Sequence, residues 1–412
     1  MDVGEVREAG LCMQCGTCIA VCPARAIELD WDVTTGYAVI VHRARCTDCG
    51  ICLEACPGRG LDFRPGAWWR ERNADAACRD FLGPWRRLSF GWAADSTVRH
   101  AGASGGVATA LLAALLEEGF ADAVLAVGMS DEQPLQAVGV VCRTPAEVAA
   151  CRGSKYDVVA VNTLLRTVLD EPGRYVLVGL PCHVQGLRLA QRRSRRLRER
   201  VVLTLGIFCG LTCEPRATEV AALQAGLDPA HLRSVSYRGP GWPGGMRLVT
   251  RDGRVRQRGY PDYFDRHLAA HAPPRCRVCP DALAELADIS VGDTWLRRFE
   301  GSDGVSDLIV RTPAGERAAA AVADRLHLQD ATPEEMVASQ AATYRVKRDV
   351  LRGRLALRAA AGRPVPAYPG LDLRAGPRDI LLGALDVGRE TLYRRLADRR
   401  FPSRVGLSRA AT

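Results

Sequence analysis

The sequence predicts a multidomain chain of α+β and α/β class, with a small cysteine-rich module, a larger α/β domain and a helical C-terminal tail. Three observations predict this order. Two copies of one cysteine spacing lie before residue 60, β-branched runs alternate with helical segments from about residue 98, and the chain beyond about residue 330 is rich in Ala and Arg at helical spacing. The 412 residues, 47% of them hydrophobic, suffice for more than one core.

Two copies of the motif C-x2-C-x2-C-x3-C-P open the chain. In this spacing three thiolates hold one 4Fe-4S cube, and the fourth cysteine binds the other cube. We therefore predict that residues 1–65 form a bacterial-type ferredoxin fold with crossed ligand sets. Cluster one takes Cys12, Cys15, Cys18 and Cys56; cluster two takes Cys46, Cys49, Cys52 and Cys22.

Disulfides and zinc are the competing interpretations of these cysteines. A disulfide framework is typical of small secreted chains, and zinc ribbons use two spaced pairs of cysteines, so the ferredoxin interpretation is favoured. No secretory leader or membrane span is recognised in the sequence, which predicts a cytoplasmic protein.

The net charge of +9 favours anionic partners such as acidic proteins or phosphorylated cofactors. No nucleic-acid-binding motif accompanies this charge, and the run from Arg192 to Arg200 is interpreted as one solvated helix face. Arginine provides nearly all of the positive charge, because the only lysines are Lys155 and Lys347. A lysine kept in such a chain is expected to serve a chemical purpose.

Residues 66–97 are predicted to be a connector whose tryptophans, Trp68, Trp69, Trp85 and Trp92, pack against the next domain. The α/β domain then begins. We predict a helix that ends at Gly119, the strands AVLAVG and VGVVC, a helix over 145–151, and a buried strand over 174–178. VVLTLGIFCG is another buried strand, and β segments are expected at 232–237, 246–250 and 289–291. In the first module, 37–42 is predicted to be the strand between the two cluster loops.

Three segments of the α/β domain are candidate binding sites. Ser104-Gly105-Gly106 precedes a helix, where backbone N–H groups and the helix dipole suit an anion, although Ser104 is equally expected as a simple N-cap. Arg152-Gly153-Ser154-Lys155-Tyr156 contains one of the two lysines. Gly179-Leu180-Pro181-Cys182-His183-Val184-Gln185 places a thiol and an imidazole on a turn at the end of a buried strand, where a redox site is favoured over a Cys-His nucleophile.

Four further cysteines form two close pairs, Cys209 with Cys213 and Cys276 with Cys279. Four thiolates can hold a third 4Fe-4S cluster, and zinc would accept the same set. Cys182 competes with Cys213 as the fourth ligand. Cys78, Cys142 and Cys151 are interpreted as ordinary buried thiols.

Over roughly residues 98–330 the chain resembles the family of beta subunits of coenzyme F420-reducing hydrogenases and dehydrogenases. The resemblance rests on an ordered series of segments: ASGGVATALLAALLEEG, RGSKY, GLPCHVQGLR, LGIFCG, YRGPGWPGG, CRVC followed by ADISVGDTW, and VRTPAGE. It implies an iron-sulfur flavoprotein that binds FAD, with a domain like the N-terminal part of these beta subunits over 98–180 and a domain like their C-terminal part over 181–330. The basic helical tail, 331–412, lies outside the resemblance.

The resemblance also implies site residues. The flavin contacts would be Ser104, Gly105, Gly106, Ser154, Lys155 and Tyr156, with Pro181, Cys182 and Gln185 lining the same region. Cys209, Cys276 and Cys279 match the cluster cysteines of the family. Two departures from the family pattern are His183, where glutamine is expected, and Cys213, which lies at a variable position.

The function that follows from the resemblance is an oxidoreductase in which reduced coenzyme F420 gives a hydride to FAD and electrons leave singly through 4Fe-4S clusters. One alternative is a ferredoxin-dependent flavin reductase of an organic substrate. The other is a non-catalytic electron-transfer subunit of a larger redox complex. Expected partners are therefore coenzyme F420 or another small molecule, and ferredoxin or a partner redox subunit.

Overall fold

A computed structural model describes residues 2–32, 35–64, 77–264 and 266–403, without the side chains of 77–79 and 266–267. The predictions for Trp68, Trp69 and the thiol of Cys78 lie outside the described residues.

Fifteen strands occur in the described part of the chain: β1 Ile27–Asp32, β2 Gly36–Val41, β3 Ala77–Arg79, β4 Gly83–Trp85, β5 Arg87–Ala93, β6 Ala123–Met129, β7 Ala137–Cys142, β8 Tyr175–Gly179, β9 Val201–Ile207, β10 Leu232–Ser236, β11 Gly245–Thr250, β12 Val255–Gly259, β13 Ile289–Asp293, β14 Ser306–Val310 and β15 Leu326–Asp330. The α-helices of the same ranges are α1 Val3–Glu8, α2 Thr17–Val21, α3 Ile51–Glu54, α4 Ser96–Ala101, α5 Val107–Glu117, α6 Pro145–Ala150, α7 Leu165–Asp170, α8 Pro181–Arg193, α9 Arg195–Arg200, α10 Pro215–Gln224, α11 Arg266–Ala270, α12 Pro313–Ala321, α13 Pro333–Ser339, α14 Ala341–Arg345, α15 Leu351–Ala360 and α16 Pro377–Arg400. None of these helices is long and apolar enough to cross a bilayer.

Eight strands form one mixed sheet in the order β15-β5-β14-β13-β9-β8-β6-β7. The central strands β13, β9, β8 and β6 are parallel, and antiparallel strands complete both sides. Helices cover both faces, because Leu115 of α5 packs with Val176 on one face and Leu187 of α8 packs with Leu177 on the other. Because β8 is buried on both faces, its sequence is a continuous run of apolar residues and does not alternate with polar ones.

The cysteine-rich module contains one antiparallel hairpin, in which Leu29 of β1 pairs with Val39 of β2. The predicted strand over 37–42 corresponds to β2. Its partner β1 was not predicted, because the alternating charges of IELDWD leave only a half-buried face. Six of the eight cysteines of the two loops pack with Val3, Ile27 and Val39 in one hydrophobic cluster: Cys12, Cys18, Cys22, Cys46, Cys52 and Cys56.

Three expectations from the sequence are corrected. The 66–97 connector contains β5, which lies inside the main sheet between β14 and β15. The 192–200 run is not one helix face: the break at Ser194, whose hydroxyl caps α9, separates the end of α8 from α9. Cys182 and His183 are not on a turn, because Pro181 occupies the first position of the helix α8.

The tail packs back on the rest of the chain. Leu351 and Leu355 of α15 share a hydrophobic cluster with Val6, Leu11 and Val278, which belong to the cysteine-rich module and to the 276–278 turn. The guanidinium of Arg358 also donates to the carbonyl of Ala9. The tail therefore holds the module against the α/β domain.

Candidate functional site

A cavity of about 280 Å³ lies at the carboxyl ends of the central parallel strands. Its walls are the ends of β8, β9 and β13, the start of α5 and the loop from Cys151 to Asp157. Open α/β sheets commonly bind ligands at this edge, because the loops that follow neighbouring parallel strands meet there.

The start of α5 contributes backbone N–H groups to this cavity. Gly106 is the N-cap, with a φ of 74° that favours glycine, and no side chain caps the helix. The expectation that Ser104 is the N-cap is wrong, because the Ser104 hydroxyl donates to the carbonyl of Val305 over 2.8 Å. The uncapped first turn suits an anionic group such as a phosphate.

Lys155 organises the loop at the opposite wall. Its ammonium donates to the carbonyl of Cys151 and, over 3.1 Å each, to the carbonyls of Arg152 and Gly153. Burial lowers the pKa of Lys155 to about 8. The lysine thus closes its own loop while its side chain lines the cavity.

Arg238 connects three walls of the cavity, and the sequence analysis did not select it. Its buried guanidinium donates to the Asp293 carboxylate over 3.0 Å, to the Tyr156 hydroxyl over 3.2 Å and to the Ala103 carbonyl over 2.7 Å. It also lies 4.3 Å from the ring centroid of Tyr260. The signal was present in the segment YRGPGWPGG, which supported the resemblance without a role for its arginine.

The remaining residues predicted to contact flavin divide between this cavity and its surroundings. Ser104, Gly106, Ser154 and Tyr156 line it. Gly105 N–H instead donates to the Ser306 hydroxyl over 3.1 Å. Pro181 and Cys182 begin α8, and the Gln185 amide donates to the Asp281 carboxylate over 2.9 Å, toward the loop after Cys279.

His183 is held by the backbone on both ring nitrogens. Nδ1 accepts from the Leu180 N–H over 3.1 Å, so the proton is on Nε2, which donates to the Val159 carbonyl over 2.8 Å. Burial lowers the pKa of His183 to about 4, which keeps the ring neutral. The imidazole is therefore not placed to activate Cys182.

Four inner thiols lie beside this cavity. Burial raises the pKa of Cys182 well above its usual value, and Cys15, Cys209, Cys276 and Cys279 are close enough to add to the increase. Cys209 itself lines the cavity. Cys182, Cys209, Cys276 and Cys279 therefore form one group, which we call the inner thiols.

Cys213 has a different environment. It packs among Leu227, Tyr237 and other core residues, and its Sγ lies 3.7 Å from the Leu268 carbonyl. Burial raises its pKa, and among the inner thiols Cys276 adds to that increase. This arrangement favours Cys182 over Cys213 as the fourth inner ligand.

The N-terminal thiols have the neighbours that crossed ligand sets require. Burial raises the pKa of Cys56 to about 12, and Cys15 and Cys12 of the first loop add to it. Burial also raises the pKa of Cys52, with a contribution from Cys22. The fourth cysteine of each motif thus lies close to the loop of the other motif.

The predicted ligand sets offer thiolates alone, which 4Fe-4S cubes take as ligands and which zinc also accepts. Tetrahedral zinc with bonds of about 2.3 Å brings its sulfurs to about 3.8 Å from one another. Among residues 2–32, 35–64, 77–264 and 266–403, no three His, Cys, Asp or Glu side chains converge to hold one metal ion.

Asn162 joins the first cysteine loop to the inner thiols. The side-chain amide of Asn162 donates to the Thr17 hydroxyl and to the His183 carbonyl, each over 2.8 Å, and His183 follows Cys182 in the sequence. The backbone N–H of Asn162 donates to the Cys15 carbonyl over 3.0 Å. These three hydrogen bonds connect the first cysteine loop to the helix α8, which contains Cys182.

The second lysine of the chain lies beside the inner thiols. Lys347 is 3% exposed and belongs to a π-helical turn over Val346–Val350. Its charge lowers the pKa of Cys209 and Cys276, which burial raises. The turn is anchored by Arg348, which donates to the Pro280 carbonyl over 2.9 Å. Local pattern could not show this placement, because it depends on how the tail packs.

Comparison with known protein families gives three matches. Residues 89–166 match the N-terminal model, and residues 173–335 the C-terminal model, of the family described as "Coenzyme F420 hydrogenase/dehydrogenase, beta subunit". Residues 11–61 match "4Fe-4S dicluster domain". The chain belongs to the family of coenzyme F420 hydrogenase/dehydrogenase beta subunits. The resemblance found in the sequence is confirmed, and the N-terminal match includes residues 89–93 of β5.

Relatives of this family are similar over part of the chain. The beta subunit of coenzyme F420 hydrogenase of Methanosarcina barkeri is 27% identical over 252 residues, which are 57% of this chain and 78% of that protein. A subunit of F(420)H(2) dehydrogenase of Methanosarcina mazei is 26% identical over 55% of this chain and 60% of that protein. Coenzyme F420-dependent sulfite reductase of Methanocaldococcus jannaschii is 25% identical over 76% of this chain, which matches 46% of that protein.

A solved structure shares the fold. A chain of the F420-reducing [NiFe] hydrogenase complex from Methanosarcina barkeri superposes with a TM-score of 0.55 at 22% identity, over 68% of this chain and 96% of that chain. At this identity the similarity concerns the fold alone.

Replacing Cys182 by serine is expected to remove about four irons per chain, because a cube that loses one thiolate of the inner group is not retained. Cys213→Ser is the matched control and should leave the iron content unchanged. Iron and sulfide are measured on protein purified without air. The opposite result, with iron lost only in the Cys213 variant, would make Cys213 the ligand.

If the inner thiols hold a cluster as predicted, replacing Lys347 by methionine is expected to lower the reduction potential of that cluster, because a buried positive charge stabilises the added electron. A lost interaction of about 1.4 kcal/mol corresponds to about 59 mV for one electron. Arg345→Met removes the same charge from the exposed surface two residues away and should change little. Potentiometric EPR titration measures the reduction potential in both variants. Equal decreases of the potential in the two variants would exclude a specific role for Lys347.

Proposed function

We propose that this chain passes electrons between coenzyme F420 and one-electron carriers, with FAD in the cavity beside the inner thiols and three 4Fe-4S clusters. Membership of the family and the dicluster domain make it a redox electron-transfer protein. The observation that carries the finer proposal is that one cavity contains both the uncapped start of α5 and Cys209.

FAD, when bound, would convert a hydride into two single electrons. The chain would bind and orient it through the first-turn N–H groups of α5 on one wall and the Lys155 loop on the other. Val107, Leu112 and Val291 give the cavity an apolar lining that excludes water. Cys209 at the wall brings the inner thiols within reach of such a ligand.

A second cavity of about 750 Å³ shares the Cys151–Lys155 loop with the first. Four basic residues and two acidic ones line it, which leaves an excess of positive charge that suits an anionic substrate: Arg152, Lys155, Arg238 and Arg247 against Asp131 and Glu147. Coenzyme F420 carries a phosphate and a polyglutamate tail. Three similar proteins, a hydrogenase subunit, a dehydrogenase subunit and a sulfite reductase, have F420 in their names. These observations support F420 as the hydride donor.

Electrons would leave through the N-terminal module. Cys182 lies close to Cys15 of the first loop, and Cys18 lies close to Cys52 of the second. Cys49 is exposed at the far end of this series. The exposed end is the place where an external one-electron carrier or a partner protein would exchange electrons.

Lys155→Arg is expected to weaken FAD retention about tenfold, because a planar guanidinium cannot direct its charge to three converging carbonyls as an ammonium does. Arg143→Lys, at an exposed position between β7 and α6, is the matched control and should retain FAD. The FAD released on denaturation is measured against iron. Normal FAD occupancy in the Lys155 variant would show that the loop does not hold the flavin.

The proposed function is tested by adding reduced coenzyme F420 to protein purified without air, with FAD and iron quantified. We expect rapid bleaching of flavin and cluster absorbance. Bleaching by reduced ferredoxin but not by F420 would replace the proposal with a ferredoxin-dependent reductase of an organic substrate. Retained flavin that no small hydride donor reduces would make the chain an electron-transfer subunit. Protein that has clusters but releases no FAD would exclude the flavin.

A further inference from the structure

Two cysteines outside the predicted cluster sets lie side by side at the cavities. Cys142 is the last residue of β7, Cys151 follows α6, and their sulfurs are 3.7 Å apart. The sequence analysis interpreted both as ordinary buried thiols. Their proximity arises because α6 folds back on β7 through a capping box between Thr144 and Glu147.

The two thiols differ in access. Cys142 is fully buried, whereas Cys151 is partly exposed and lines both cavities. The hydrogen bond with Cys142 lowers the pKa of Cys151, and the Lys155 ammonium lowers it further, against the effect of burial. An accessible thiol of this kind is the attacking sulfur of a pair, and the buried one resolves the product.

We propose that Cys142 and Cys151 form a reversible, redox-active disulfide at the wall between the two cavities. The disulfide requires neither FAD nor an iron-sulfur cluster, so this inference stands apart from the proposed function. A disulfide bond is about 2.05 Å long, so the two sulfurs must approach by roughly 1.7 Å. The Cys151 side chain can supply this movement at the end of α6, where the helix gives way to the loop.

A low-molecular-weight disulfide such as oxidised glutathione serves as the oxidant. The Cys151 thiolate attacks one of its sulfurs, which forms a mixed disulfide and releases one glutathione thiolate. The Cys142 thiol then loses its proton and attacks the Cys151 sulfur, which releases the second glutathione. The pair loses two electrons and two protons, and one oxidised glutathione becomes two reduced molecules.

Oxidation would act on the loop that divides the cavities. The carbonyl of Cys151 accepts one of the three hydrogen bonds of Lys155, so movement of Cys151 toward Cys142 displaces an anchor of that loop. The thiol pair would in this way connect the redox state of the surrounding solution to the shape of both binding cavities.

The test uses the whole protein, purified without air and equilibrated with glutathione buffers from fully reduced to fully oxidised. Free thiols are then blocked, and the protein is digested with trypsin without reduction. Cleavage after Arg99, Arg143 and Arg152 separates His100–Arg143 from Thr144–Arg152, and each peptide has one cysteine. We expect the two peptides to be linked in at least half of the chains at the oxidised end and unlinked at the reduced end.

Single variants test the order of attack. In Cys142→Ser the peptide Thr144–Arg152 should carry one glutathione, because the mixed disulfide cannot be resolved. In Cys151→Ser the peptide His100–Arg143 should carry none, because Cys142 is buried. Iron content is measured in the fully reduced and the fully oxidised buffer. An unchanged iron content shows that the cysteines predicted to hold the clusters keep their iron during the experiment. Absence of the linked peptides from the unsubstituted protein at every ratio, or a link that reduced glutathione cannot break, would overturn the proposal.

Discussion

The buried guanidinium of Arg275 is the interaction on which the rest of the arrangement depends. It is 1% exposed and donates to the carbonyls of Gly58, Pro57 and Val278 over 3.0 to 3.1 Å. The first two follow Cys56 in the cysteine-rich module, and the third precedes Cys279. Tyr368 of the tail completes this contact, because its ring lies 5.5 Å from the guanidinium and its hydroxyl donates to the Val278 carbonyl. One side chain therefore joins three regions that are far apart in sequence. A buried charge is tolerated where carbonyl dipoles satisfy its donors, and loss of the guanidinium would remove one hydrogen bond from each of these three carbonyls.

Burial and positive charge act in opposite directions on the thiols that this contact brings together. Burial raises the pKa of Cys12 to about 11 and of Cys209 to about 12. Cluster formation requires thiolates, so burial alone would oppose it. Arg275 lowers the pKa of Cys12, and Lys347 lowers that of Cys209. The two cations come from the 275–279 region and from the tail, so a segment beyond the family match contributes charge at the inner thiols.

The sequence specified local features better than long-range ones. The motif spacing predicted which cysteines neighbour one another across the two loops, because four ligands on two short loops leave few arrangements. The helix that ends at Gly119 and the strands β6 to β9 followed from apolar periodicity. β5 and β15 were missed because their pairing partners lie more than two hundred residues away in sequence, for example Gly91 of β5 beside Ser306. Arg238 and Lys347 were missed as site residues for the same reason, since only the folded chain shows what a buried cation contacts. The choice between Cys182 and Cys213 likewise depended on the packing of α8.

The Cys151–Lys155 loop gives the two proposals a common physical basis while leaving them independent. A flavin in the first cavity depends on the N-terminus of α5 and on the loop as a wall, and neither feature involves the thiol of Cys142. The disulfide depends on the 3.7 Å approach of two sulfurs, which is set by β7 and α6 and would persist in a chain without flavin. What joins them is Lys155. Its ammonium fixes the loop through three carbonyls, and its charge favours the thiolate of Cys151. A chain that uses arginine for nearly all of its positive charge retains lysine here because a compact ammonium can occupy the centre of a tight loop, where a planar guanidinium cannot.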